Sequence, residues 1–414
     1  MILYSEQYEG ACACGREHPL WTKMVVVEHG CLANFDKYMD EVGLSGKRAV
    51  IYDTNTYNLP TMIHVPADIE IVLKAEGLHS EKTMIESILP QLEGAEVLVT
   101  VGSGTLMDFA RYNAHTMGIP FAAIPTLASS DGYTANICSV VIDGVKKSVP
   151  MEAPVLVVAD LDIISGAPMW LNISGVADIL SKHISLLDWK IAELVSGEYY
   201  CEKVAGMARE ALDMMTACAE GIRRGEKPDF EAMTMAQMIS GLTMQMLRNS
   251  RAASGAEHLI AHLVEMKPPR FENANGIHGE CVGVGTLLCL ENYQKLAKMT
   301  PKPLPFEPLS AEWISEKFAD LAPGIIKENE NDILATFSSK NITDNWDEIC
   351  KMINALPAYE ELLSLFLDIG AKTKLSELGI DEALKDEVLP ISAAIRNRLT
   401  LVRMLRVLDF GSQV

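Results

Sequence analysis

The residues best equipped for chemistry sit in one stretch, SGAEHLIAHLVEMKPPRFENANGIHGE (254–280), with three of the chain's nine histidines. His258 and His262 are spaced i, i+4, so on a helix they share a face. His278 follows after a loop. One histidine on an apolar helix is usually a satisfied core residue, but three so close together have the makings of a zinc-type site. Asp178, in SGVADILSK, offers the carboxylate that a borderline metal accepts. Spacing alone does not say that Asp178 meets the histidines.

A second constellation lies in VLVTVGSGTLMDF. A buried strand ends near Val101, and Gly102, Ser103, Gly104 and Thr105 then open a helix. Glycines admit a phosphate close to the backbone, and the helix start presents N–H donors to it. The run is not GxGxxG, because Met107 stands three after Gly104, and the strand-terminal Asp53 precedes the loop instead of following it. Asp53 could accept from a ribose 2′-hydroxyl and repel a 2′-phosphate, or could serve as an N-cap acid. Thr126, Ser129, Ser130 and Asp131 in AAIPTLASSDG follow another buried strand, the usual place for ligand groups in an α/β sheet, although a polar turn explains them equally well. Near the N-terminus, Cys12, Cys14 and His18 in CACGREH have the types of a zinc knuckle. They are one ligand short and none follows nearby, so the stretch reads as a loop.

These groups need elements to hold them. Short apolar runs at 24–30, 47–53, 69–74, 95–102, 120–126 and 153–160 alternate with helical patterns such as 32–43 and 80–94. In the latter, Met84, Ile85, Ile88, Leu89 and Leu92 recur at helical spacing. Near-continuous apolar strands alternating with helices predict a parallel sheet covered on both faces. The turn-rich stretch 125–148 predicts an antiparallel excursion. After residue 165 the strand signal stops, and 199–225, 231–250 and 386–410 read as helices. Their many methionines are core packing. The predicted architecture is a Rossmann-like α/β domain (residues 1–163) followed by an all-α domain (164–414), with the site in the cleft they form.

Composition narrows the partners. The net charge is −21 with no basic cluster, which argues against nucleic acid or an anionic membrane surface. No apolar run reaches the ~20 residues that span a bilayer, and the N-terminus lacks a signal-peptide pattern. Nine scattered cysteines fit a reducing cytoplasm better than a disulfide frame.

Taken together, GSGTLMDFARYNAHTMGIPFAAIPTLASSDG, DIISGAPMWLNISGVADILSKHISLLDWKIAE and SRAASGAEHLIAHL…IHGECVGVGT resemble the sn-glycerol-1-phosphate dehydrogenases, in their bacterial branch. That family lies within the superfamily of dehydroquinate synthase, glycerol dehydrogenase and iron-containing alcohol dehydrogenases. The likeness runs in order from about residue 20 to 290. It implies the dehydroquinate synthase-like fold, with Asp178, His258 and His278 as metal ligands and His262 beside them as proton relay or substrate contact. It further implies Gly102, Ser103, Gly104 and Thr105 as the pyrophosphate loop with Asp108 in its helix, Thr126 and Ser129 at the nicotinamide, Asp53 at the ribose, and Asp131 as a substrate-side acid.

Two positions depart from the family. Iron-dependent relatives place a histidine four residues after the metal Asp, where this chain has Lys182; on one continuous helix His183 would lie about 100° off that face. Three ligands then favour zinc or nickel over iron. Ala252 replaces a usual proline. The implied reaction is hydride transfer between NAD(H) or NADP(H) and dihydroxyacetone phosphate, giving sn-glycerol 1-phosphate, with Arg251 and Lys182 as candidates for the phosphate. A glycerol dehydrogenase-type enzyme acting on an unphosphorylated polyol is the alternative, followed by a dehydroquinate synthase activity and a non-catalytic NAD- or metal-binding protein. The apolar helices of the C-terminal half imply a homo-oligomer, most simply a dimer.

Overall fold

In the computed structural model, which describes residues 1–142 and 144–411, the six apolar runs all become strands. The chain order is β1 (Ile2–Tyr4), β2 (Met24–Glu28), β3 (Arg48–Asp53), β4 (Ile69–Leu73), β5 (Val97–Gly102), β6 (Phe121–Pro125), β7 (Ile137–Ile142), β8 (Val145–Pro150) and β9 (Leu156–Asp160). Seven of them form one sheet in the order β1-β2-β9-β6-β5-β3-β4. Only β1 runs antiparallel to its neighbour. This three-residue edge strand is too short to carry a sequence pattern. β7 and β8 pair antiparallel as the expected excursion. Every residue of β5, β6 and β9 is buried, as a sheet covered on both faces requires.

The chain divides into two units, Met1–Ile179 with Gly206–Ser250, and Leu180–Ala205 with Arg251–Val414. The first holds the whole sheet together with the helices Met169–Leu180 (all but its last residue) and Phe230–Leu247. In Phe230–Leu247, Met233, Met235, Met238, Met244 and Met246 are all core. The helix is fastened by Gln245, whose Oε1 accepts from the Trp21 and Thr22 N–H groups at 2.8 and 3.3 Å. Its Nε2 donates to Thr22 Oγ1 and to the Thr134 carbonyl. At the end of β9, the buried Asp160 accepts from the N–H groups of Gly30, Leu32 and Asp162, each at 3.0 Å.

The second unit is helical, apart from a two-residue pairing of Lys302–Pro303 with Leu408–Asp409 that no apolar run announced. Its centre is the pair of helices Ala256–Met266 and His278–Leu296 with Lys182–Ser196 against both. Asp188 ties these together: Oδ2 accepts from Ala256 N at 2.9 Å, and Oδ1 from Tyr293 Oη at 3.0 Å and Leu401 N at 2.9 Å.

Two predicted helices are broken. The stretch 80–94 is helical only over Lys82–Glu86 and resumes as a tight turn at Leu89–Leu92, because Pro90 has no N–H to continue the ladder. The stretch 386–410 splits into Lys385–Ser392 and Leu401–Met404. The buried Arg403 stabilises the break by donating to the Ala393 and Arg396 carbonyls at 2.7 and 3.1 Å while pairing with Asp332 at 2.8 Å. Arg403→Met should therefore destabilise the protein by about 3–5 kcal/mol, since it strands a buried carboxylate and two carbonyls. Urea unfolding followed by circular dichroism measures it; a change under ~1 kcal/mol would assign the pair no such role.

Candidate active site

The expected nucleotide residues lie at the carboxyl ends of adjacent strands. From β3 the chain moves outward to β4, whereas from β5 it moves the other way to β6, so β3 and β5 flank a topological switch point. Open α/β sheets bind ligands at such a crevice. Asp53 ends β3 and Gly102 ends β5, and Thr56 Oγ1 donates to the Val101 carbonyl across them at 3.2 Å. Asp53 is an N-cap: Oδ1 accepts from Asn55 N at 2.9 Å and Thr56 N at 2.8 Å. Both cap bonds use Oδ1, so Oδ2 lies outside the cap.

Ser103 precedes the helix Gly104–Met117 in extended conformation and its side chain makes no cap hydrogen bond. The first-turn N–H groups, from Gly104 and Thr105 onward, therefore have no side-chain acceptor at the helix's positive end. A Cβ added at Gly104 would meet nothing within 4 Å, so the approach is open. Next to this loop, Thr126 donates its N–H to the Gly102 carbonyl at 3.3 Å, and its buried Oγ1 has no partner. An orphaned hydroxyl beside an uncapped helix start fits a polar ligand in the crevice. The Asp108 carboxylate accepts from Arg111 at 3.2 Å, Ser139 N at 3.2 Å and Ser80 Oγ at 3.1 Å. These are protein partners that fix β7, and burial raises its pKa.

The loop after β6 is pinned from two helices. Ala128 N donates to Asn172 at 2.8 Å, Gln237 donates to the Ala128 carbonyl at 2.7 Å, and Ser240 Oγ donates to Asp131 Oδ2 at 2.8 Å. A Cβ on Gly175 would collide with the Ala128 carbonyl and with Gln237, so the helix Met169–Leu180 reaches this loop only because residue 175 is glycine. That approach lets Asp131 N–H donate to Asp178 Oδ2 at 3.3 Å. Asp131 thus meets Asp178 through its backbone, while its own carboxylate takes Ser240. Ser129 Oγ lies 3.2 Å from Tyr133 Oη, whose buried phenol is pushed up to about 12.

The three histidines cluster. Ring centroids lie 6.4 Å apart for His258 and His262, 5.4 Å for His258 and His278, and 6.1 Å for His262 and His278. Gly285 permits this, since a Cβ there would press on the Glu257 carbonyl and push the two helices apart. Each outer imidazole is backed by a carboxylate: His258 Nδ1 donates to Glu257 Oε1 at 2.8 Å, and His278 Nδ1 donates to Glu265 Oε1 at 2.8 Å. A carboxylate acceptor puts the proton on Nδ1 and leaves Nε2 as the donor atom for a cation. Glu265 Oε2 also lies 3.4 Å from His262 Nδ1. Asp178, His258 and His278 each offer one ligand atom, and these atoms all lie within 4.8 Å of one another. One carboxylate and two carboxylate-backed imidazoles are a donor set suited to a borderline divalent metal.

Sequence reasoning missed Glu257 and Glu265, although each stands within three residues of a candidate histidine. Of the two candidates for the substrate phosphate, Lys182 is buried, and Arg251 is buried and donates to Glu198 at 2.7 Å and to the Leu399 carbonyl at 2.6 Å. Arg398 stands close by and donates to the Ser254 carbonyl at 2.5 Å. The expected continuous helix through Asp178 and Lys182 is interrupted: one helix ends at Leu180 and the next begins at Lys182, so an angle drawn along a single helix does not apply to His183.

The fold is that of solved polyol and alcohol dehydrogenases. A probable glycerol dehydrogenase from Sinorhizobium meliloti superposes with a TM-score of 0.61 over 92% of this chain and 94% of that one, at 19% identity. The profile of the family described as iron-containing alcohol dehydrogenase matches residues 26–168. A glycerol-1-phosphate dehydrogenase (NAD(P)+) of Halalkalibacterium halodurans is 28% identical over 98% of both chains. Another, from Methanothrix thermoacetophila, is 31% identical over 65% of this chain and 76% of that one. The chain belongs to the glycerol-1-phosphate dehydrogenase family, within the iron-containing alcohol dehydrogenase class.

Asp188, which caps the helix that presents His258 and His262, is a titration handle. Burial pushes its carboxyl up to about 6, from an ordinary value near 4. The folded state therefore holds this proton more tightly than the unfolded state. The stability this contributes is present below about pH 4 and is lost as pH rises through about 6. Asp188→Asn should flatten that part of the stability–pH curve. Denaturation midpoints at pH 4 to 7 check this, and an unchanged slope would assign the titration elsewhere.

Proposed function

We propose that the protein is an NAD(P)-dependent, metal-dependent oxidoreductase that interconverts dihydroxyacetone phosphate and sn-glycerol 1-phosphate. The observation that carries this reading is the meeting of Asp178, His258 and His278, the histidines backed by Glu257 and Glu265. Residues 1–163 then form the dinucleotide-binding part and 164–414 the metal- and substrate-binding part. Asp178 and the two Nε2 atoms would hold a divalent cation, zinc or nickel in preference to iron, because Lys182 stands where the iron-dependent relatives place a further histidine ligand. When bound, such a cation supplies Lewis acidity toward a substrate carbonyl oxygen.

The chain's own groups do the rest. The uncapped N–H groups of Gly104 and Thr105, with Gly102 and Ser103, receive the pyrophosphate. Thr126 Oγ1 and Ser129 orient the nicotinamide. Asp53 Oδ2 accepts from a ribose hydroxyl and disfavours a 2′-phosphate, which supports NADH over NADPH. His262, third in the imidazole triangle and next to Glu265, moves the proton to or from the substrate oxygen. Asp131 positions Asp178 through its N–H. Arg398, whose guanidinium donates to the Ser254 carbonyl just before the helix that carries His258 and His262, holds the substrate phosphate. The scattered cysteines support a cytoplasmic enzyme, and the apolar helices a homo-oligomer.

Stripped protein reloaded with zinc, nickel, iron or manganese should oxidise NADH or NADPH with dihydroxyacetone phosphate, and should reduce the cofactor with glycerol 1-phosphate far faster than with glycerol. Equal rates with glycerol would select the unphosphorylated-polyol reading. His278→Ala should lose metal and activity together. His262→Ala should keep the metal and slow turnover by about 100-fold. Metal loss in His262→Ala with retention in His258→Ala would overturn the assignment. Arg398→Ala should raise KM for dihydroxyacetone phosphate at least about tenfold, the value of one charged hydrogen bond; an unchanged KM removes Arg398 from the substrate site.

A further inference from the structure

The N-terminal loop read above as one ligand short gains its fourth from a distant part of the chain. Cys12, Cys14, His18 and Cys201 each offer one ligand atom, and all four atoms lie within 4.8 Å of one another. Cys201 directly precedes the helix Glu202–Arg223, 183 positions after His18, so no local motif could reveal it. We propose that these four residues form a second metal centre, a structural zinc site of Cys3His type. It is separate from the Asp178 group and independent of the function assigned to that group.

Three observations support this beyond proximity. First, the donor set is complete and soft: three thiols and an imidazole make a closed four-ligand shell, the pattern of structural zinc. Second, His18 is already oriented. Its ring is buried, and Nδ1 lies 2.9 Å from the Met246 carbonyl. A carbonyl only accepts, so Nδ1 carries the proton and Nε2 keeps its lone pair. Nε2 lies 3.3 Å from Cys14 Sγ. This backbone-anchored imidazole is the outer-shell arrangement that metal-binding histidines require. Third, the loop turns to suit. Gly15 N–H donates to the Cys12 carbonyl at 3.0 Å, with Gly15 at φ +79°, closing a turn that brings Cys14 back toward His18. A surface pocket is lined by Cys12 and His18, two of the four candidate ligands.

Binding would convert the three thiols to thiolates with release of their protons, and the metal would hold residues 9–18 in place. That loop has no regular secondary structure of its own.

Cobalt exchange into the purified enzyme tests this, because only sulfur ligands give a thiolate-to-cobalt charge-transfer band in the near ultraviolet. Wild-type protein should show the band and hold about two metal equivalents per chain. Cys14→Ser and Cys201→Ser should each lose the band and fall to about one equivalent, with turnover of dihydroxyacetone phosphate retained and a lower melting temperature. Asp178→Asn should lose the other equivalent and keep the band. Should the cysteine variants fail to fold, the wild-type spectrum and Asp178→Asn still decide. A cobalt-loaded wild type without the band, or a disulfide among Cys12, Cys14 and Cys201 by thiol titration, overturns the zinc site. A band that persists in protein inactive on dihydroxyacetone phosphate would sink the functional reading and leave this one standing.

Discussion

Three imidazoles packed with ring centres about 6 Å apart are the constraint around which the helical unit is arranged. Left to themselves, such rings repel when protonated and point their lone pairs at one another when neutral, so the cluster persists only if something fixes each proton. Glu257 and Glu265 do this by taking Nδ1–H of His258 and His278. The same need explains why the two helices come so close. Gly285 removes the Cβ that would separate them, and Asp188, buried at the start of the first helix, replaces the missing turn of acceptors for Ala256 N–H. Packing, capping and tautomer choice there serve one end, a cluster of imidazoles two of whose protons are fixed.

The sheet presents the complementary problem, donors without acceptors. Where side chains cap neighbouring helix starts, as Asp53 does after β3 and Asp160 after β9, the chain satisfies itself. After β5 it does not: Ser103 leaves the helix uncapped, and the Thr126 hydroxyl beside it is buried without a partner. Unmet hydrogen-bonding capacity at a parallel sheet's switch point is costly unless a ligand meets it. The contrast among three strand ends of one sheet is what singles out the β5 loop; glycine content alone would not.

Much of this was legible in the sequence because it is written in local periodicity. The apolar runs of β2 to β6 and β9 need no partner to be recognised, and His258 and His262 announce a shared face by spacing alone. What escaped depends on residues far apart. The helix predicted across 386–410 fails because Arg403 finds Asp332 some seventy residues earlier and rewards the open carbonyls of Ala393 and Arg396. Arg251 stands next to the motifs as a candidate for the phosphate, and its partners Glu198 and Leu399 come from distant parts of the sequence. Asp108 sits in the helix after the glycine loop, and its carboxylate meets Arg111 and β7. Charged residues near a motif can serve the scaffold as readily as the ligand, and only their partners decide.

The two ligand groups obey opposite rules, and the difference is chemical. A centre that must act on a substrate has to leave a coordination position open, so three ligands are an advantage; hard and borderline donors such as Asp178 and two imidazoles keep the cation electrophilic. A centre that only holds the chain together gains from a closed shell of thiolates, whose donated charge makes the metal a poor Lewis acid and a good clamp. In both, an outer acceptor sets the histidine: a carboxylate for His258 and His278, a backbone carbonyl for His18. A carboxylate strengthens the ring as a donor more than a neutral carbonyl does. On the proposed assignments, the stronger acceptors lie where one ligand fewer would have to retain the metal through turnover, and the weaker one where three sulfurs would suffice.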